Sequence, residues 1–142
     1  MKKIAVLFLA LLLVSCGATS TKSPPKKELY EVLTQQENGG ASIRFFEILS
    51  EADEIKMLLN DENLKSKISP NDLQSSNFVI LNMGEKNSGG HSIGIESAVE
   101  TDKNIIITVK EHHPAPEAMV TLNITYPYCV VKINSKKEII IK

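Results

Sequence analysis

The chain has 142 residues, 42% hydrophobic and 23% charged, with a formal net charge of −1. That length bounds one domain and supplies apolar material for a single core, so no cofactor or disulfide is needed to explain folding. The weak acidic balance argues against nucleic acid as a partner, because phosphate neutralisation by Lys and Arg supplies most of that affinity.

The first sixteen residues read MKKIAVLFLALLLVSC. Lys2 and Lys3 form a positive start, and residues 4–14 are continuously apolar. That run is shorter than the roughly 20 residues a spanning helix needs, which gives it the form of a secretory signal. It ends in Leu13-Val14-Ser15-Cys16, which resembles a bacterial lipobox. The resemblance implies cleavage after Ser15, diacylation of the Cys16 thiol and acylation of the new amine, with palmitate-type chains. The alternative is an ordinary secretory signal with Cys16 incidental to it. Several acyl chains anchor stably where one binds reversibly. Gly17 rather than Asp follows Cys16, and by resemblance to lipoprotein sorting signals this favours the outer membrane over the inner. Residues 17–27, GATSTKSPPKK, are small, polar and Pro-containing. They lack apolar periodicity and predict a flexible tether. The expected organisation is a signal peptide over 1–15, the lipidated Cys16 with its tether over 16–27, and a β-rich domain over 28–142. Past residue 15 the chain carries 14 basic and 17 acidic residues.

Residues 28–36 alternate weakly, with Leu29, Glu31 and Leu33 on one side and Tyr30, Val32 and Thr34 on the other. They predict a first strand. Asn38-Gly39-Gly40 is a turn signal, and residues 42–49 predict a second strand. Residues 50–60 change period: Ala52, Ile55, Leu58 and Leu59 fall on one face of a helix. Ser50 is the expected N-cap, and Glu51, Asp53 and Glu54 place negative charge at the positive helix end. Residues 61–77 are a polar connection with a turn or helix start at Ser69-Pro70-Asn71-Asp72. The apolar run FVILNM over 78–83 predicts a central strand buried on both faces.

The polar loop over 85–90 ends in Gly89-Gly90. A phosphate loop is disfavoured, because Gly-Gly-His stands where Gly-Lys-Ser/Thr belongs. Strand patterns follow. Ile93, Ile95 and Val99 are expected inward with Ser92, Gly94 and Glu96 outward. After a turn at 101–104, Ile105, Ile107 and Val109 are expected inward. A corner at Pro114 and Pro116 leads to Val120, Leu122 and Ile124 as a further inward-facing run. Cys129, Val131 and Ile133 repeat the pattern, and residues 138–142 predict a terminal strand. The sum is a β-rich fold, all-β to α+β: an antiparallel sandwich or partly open barrel with one amphipathic helix.

No catalytic constellation emerges. Adjacent His112 and His113 on a strand point to opposite faces. His91 could meet one of them across a hairpin, with Cys129 joining, but no metal-ligand spacing supports that. Ser88 lies near His91 without a Gly-x-Ser-x-Gly elbow. The pair Glu111 and Glu117 has nothing to fix its separation. Cys129, flanked by Tyr128 and Val130-Val131, reads as a buried small hydrophobe.

Three blocks carry a resemblance: GEKNSGGHSIGI over 84–95, HPAPEAMVT over 113–121 and TYPYCVV over 125–131. They resemble the C-terminal domain of the protease complex subunit PrcB family, in order and spacing, over roughly residues 43–133. The resemblance implies a non-enzymatic bacterial lipoprotein that associates with a surface or secreted protease complex and stabilises it. His91 stands where the family usually has an aromatic, commonly Tyr, which puts partner choice in question. The expected function is a non-catalytic, membrane-anchored interaction module without cofactor or metal. Its partner contacts are expected at Gly84, Lys86, Gly89, Gly90, His91, Pro114 and Pro116. The alternative is an envelope lipoprotein that binds a small ligand or cell-wall component.

Overall fold

The structure is a computed structural model that describes residues 28–142. The signal, lipobox and tether readings, Cys16 included, lie outside the described residues. Seven strands form two sheets. The strands β1 (Tyr30–Gln36), β2 (Arg44–Leu49), β3 (Asn77–Met83) and β6 (Tyr128–Ile133) make one sheet in the order β1-β6-β3-β2. The strands β4 (Ser92–Glu100), β5 (Asn104–His112) and β7 (Glu138–Ile141) make the other, in the order β4-β5-β7. Neither sheet closes into a barrel among the described residues. The expected β-rich α+β fold is what the chain adopts.

Two apolar layers hold this together, one on each face of the four-stranded sheet. Val79, Leu81 and Met83 of β3 and Cys129, Val131 and Ile133 of β6 point toward the second sheet. There they meet Ile93, Ile105, Ile107 and Ile139. The alternate residues Phe78 and Val130 point the other way, into a layer with Leu33, Leu49, Ile55, Leu58, Leu64 and Ile68. β3 lies between β6 and β2 and is buried on both faces, as its unbroken apolar run predicts. Full burial of each such side chain is worth about 1.5–3 kcal/mol.

The second layer is roofed by α1 (Ala52–Met57), a 3-10 turn (Leu58–Asn60) and α2 (Asp72–Ser75). The predicted face is correct: Ile55 and Leu58 are buried. The cap is not Ser50 with Asp53. Glu51 is the N-cap, and the Glu54 carboxylate accepts from the backbone N–H groups of Ser50 and Glu51, each at 3.1 Å. A glutamate at the third helical position reaches back to the cap where an aspartate is too short.

Local register accounts for several departures from the expected alternation. β4 has a bulge between Ile95 and Ser97. An extra residue reverses the facing of everything after it, so Ala98 packs on the core and Val99 is 54% exposed instead of inward. β1 has a bulge between Val32 and Thr34. It sends Leu33 to the helix side while Leu29 packs against the inter-sheet core, so the two do not share a face. β7 pairs with β5 in parallel, against the antiparallel expectation. β6 lies between them in sequence but sits in the other sheet, so the chain returns to the second sheet running the same way.

The largest correction concerns Val120, Leu122 and Ile124. They form no strand. Leu122 is 92% exposed and Ile124 54% exposed, and Met119 is fully exposed. Pro114, Pro116 and Pro127 remove donors on both sides of this run. Its backbone pairs instead with the 84–90 loop.

Candidate partner-binding surface

Three connections converge at one end of the sheets: residues 37–40, 84–91 and 113–127. Gly89 N–H donates to Thr121 O at 3.0 Å. Lys86 and Thr125 exchange both backbone hydrogen bonds at 2.9 Å. Thr125 Oγ1 donates to Ser88 O at 2.8 Å, and Tyr126 N–H donates to Glu37 O at 3.0 Å. The Glu37 carboxylate accepts from Gly90 N–H. Tyr126 hydroxyl donates to Glu85 at 3.0 Å, a bond that holds the phenol above its ordinary pKa. The exposed run over 119–124 is thus pinned at both ends to the glycine loop. Its apolar side chains face solvent from an ordered backbone.

The expected contact residues divide by burial. Gly84 and Gly89 are buried and shape the surface from beneath. A Cβ on Gly89 would collide with Thr121 Oγ1. Gly90 is exposed, with φ +86°, and a Cβ there would stand 3.2 Å from Pro114 Cβ. The glycine turn and the proline corner, read as separate sequence signals, are one packed unit. Lys86, His91 and Pro114 are half-buried and Pro116 is exposed. Met119, Leu122 and Ile124 escaped the sequence reading, because alternation is the same signal whether or not a neighbouring strand exists. The close spacing of Pro114, Pro116 and Pro127 was the available warning.

His91 meets His113, with ring centroids 5.1 Å apart at 85°. His113 follows the end of β5, while His112 closes β5 and lies elsewhere. Partial burial, then the charges of His113 and Lys86, hold the His91 imidazole below its ordinary pKa. Cys129 does not join this pair. It is buried in the inter-sheet core, and desolvation pushes its thiol up to about 12. Ser88 Oγ lies 3.3 Å from His91 Nε2. The N–H groups of Gly89 and Gly90 are already bonded to Thr121 and Glu37, so they are not free donors for an oxyanion.

A separate groove of about 270 Å³ opens beside the seam where β1 and β4 approach without pairing. Val32, Gln35, Ser92, Gly94, Ile95, Lys110 and His112 line it. Gln35 Nε2 bridges the seam by donating to Ile93 O at 2.8 Å. Ligand pockets are usually about 300–1,000 Å³, so the groove stands at the small end.

No curated protein and no solved structure matches the chain. The family model described as PrcB C-terminal matches residues 77–134. The match runs from β3 to the end of β6 and contains all three blocks named above. The expected extension back to residue 43 lies outside it. The segment that builds the central strand, the glycine loop and the exposed corner therefore matches the PrcB C-terminal family.

Proposed function

We propose that this chain is a non-catalytic lipoprotein of the bacterial envelope that binds and stabilises a protein partner within a protease complex. The match of residues 77–134 to the PrcB C-terminal family supports a protease-associated role. The observation that carries a binding role is the apolar corner: Met119, Leu122 and Ile124 stand exposed on a backbone tied down by hydrogen bonds. An apolar patch on an ordered loop marks an interaction site more often than a solvated one. Prior ordering also lowers the entropy lost on docking. Acylation at Cys16 would hold the domain at the membrane, with the outer membrane favoured by Gly17. The partner gains stability because only its folded form is bound.

The alternative, a small-ligand or cell-wall binder, would use the seam groove. Its small volume and the Gln35 bridge favour it less. Cross-linking in the native envelope, followed by pull-down and mass spectrometry, separates the two. A reproducibly enriched protease, destabilised when this chain is deleted, supports the complex-subunit reading. If no protein is enriched and wall fragments raise the unfolding temperature saturably, the alternative holds.

A further inference from the structure

His91 immediately precedes β4, and His113 immediately follows β5. Those strands pair antiparallel with Ser92 opposite His112, so the two side chains stand at one end of a hairpin. Their Nδ1 atoms are 3.1 Å apart. Each outer nitrogen faces an oxygen. His91 Nε2 lies 3.3 Å from Ser88 Oγ, and that hydroxyl donates its hydrogen to Gly89 O at 3.2 Å. Ser88 therefore accepts from His91, which places the His91 hydrogen on Nε2. His113 Nε2 lies 3.7 Å from Glu111 Oε2, while Arg44 Nε donates to the other Glu111 oxygen at 2.7 Å. At 3.7 Å that contact is electrostatic and does not fix the His113 tautomer. A neutral imidazole carries one N–H. The His91 Nδ1 lone pair is then directed at His113 Nδ1, at hydrogen-bond distance. The same separation suits two nitrogens bound to one cation.

We propose that His91 and His113 form a two-nitrogen chelate for a divalent late transition-metal ion such as Zn²⁺ or Cu²⁺, bound through both Nδ1 atoms. Imidazole nitrogen suits these ions. Two Zn–N bonds of about 2.0–2.1 Å, set at 90–109°, put their nitrogens about 2.9–3.4 Å apart. The observed 3.1 Å falls inside that span. Glu111 behind His113 and Ser88 behind His91 supply the outer acceptors that orient metal-bound histidines. No third His, Cys, Asp or Glu completes a metal-holding group among the described residues. Water would fill the remaining positions, and affinity should fall well short of a four-ligand structural zinc site. The sequence allows His91 to meet one of the two adjacent histidines across a hairpin but carries no metal-ligand spacing, because the ligands are 22 positions apart.

The test uses the full lipidated chain in detergent, purified without a histidine tag. Zn²⁺ is titrated calorimetrically near pH 7.5, and Cu²⁺ is added for electron paramagnetic resonance. One equivalent of Zn²⁺ should bind per chain. H91Q and H113Q should each weaken binding more than about 10-fold, and E111Q about 10–100-fold. H112Q should leave it unchanged. The Cu²⁺ spectrum of the unmutated protein should show two coupled imidazole nitrogens, a readout that needs no variant to fold. Absence of saturable Zn²⁺ binding, indifference to H91Q and H113Q, loss on H112Q, or fewer than two coupled nitrogens would each overturn the proposal.

Discussion

Asn82 illustrates how much one polar side chain can organise. It sits on β3 among apolar neighbours, almost fully buried. Its Oδ1 accepts from Ala41 N–H at 2.9 Å, and its Nδ2 donates to the carbonyls of Ala41 and Ile43. The 40–43 turn is thereby fastened to the central strand. Asn82→Ala would leave those backbone groups without partners and should cost about 2–4 kcal/mol in urea unfolding. Gly90→Ala should cost about 1–3 kcal/mol by the same measurement, since φ +86° is a left-handed backbone and Pro114 is close. Cys129 makes a different kind of prediction. Burial raises its pKa to about 12 from a reference of 9.0. The buried thiol's contribution is therefore fully present below pH 9 and is lost as pH rises toward 12. In a Cys16→Ser chain, a thiol reagent at pH 8 should label native protein far more slowly than unfolded protein. Equal rates would mean the core opens readily.

Short elements here derive their stability from what they cover. α1 has only six residues, too few to persist alone in water. Its fully buried Ile55 anchors it to the layer beneath. Ile55→Ala should cost about 2–5 kcal/mol through lost transfer energy and a residual cavity. Met57, two positions on and 70% exposed, should tolerate alanine within about 0.5 kcal/mol. Thermal unfolding of the two variants side by side measures the contrast. The bulges in β1 and β4 act at the same scale. Each adds one residue and reassigns a set of side chains, which is why Leu33 reaches the helix layer and Val99 reaches solvent.

At the level of the whole molecule, the core and the candidate binding surface occupy different residues. The two apolar layers lie on the faces of the four-stranded sheet, while the exposed corner at 119–124 adds nothing to either. Replacing Met119 and Leu122 together by serine should change unfolding free energy by less than about 0.5–1 kcal/mol. The same pair should abolish partner recovery after cross-linking. Stability lost in step with recovery would instead place these residues in the fold. Much of the architecture was legible locally. The FVILNM run read as a doubly buried strand, Ile55 and Leu58 read as one helix face, and the glycine and proline punctuation located the connections correctly. The candidate surface was legible only in part. Gly90, His91, Pro114 and Pro116 were singled out by their turn chemistry and do converge there, but Leu122 and Ile124 were assigned with Val120 to an inward-facing run and Met119 was not singled out, whereas all three of Met119, Leu122 and Ile124 are exposed.

Composition and periodicity by themselves determined the β-rich class, the central strand and the buried thiol, while three sequence blocks carried the resemblance to the PrcB C-terminal family. Those properties depend on each residue's own hydrophobicity and backbone preference, which the chain carries wherever it folds. Tertiary structure alone decided the rest: the parallel return of β7, the bulges, the exposure of the corner and the approach of His91 to His113. Each of these depends on which distant segment supplies a hydrogen-bond partner or a covering surface. An alternating run becomes a strand only beside another strand, and two histidines 22 positions apart meet only because a hairpin brings its ends together.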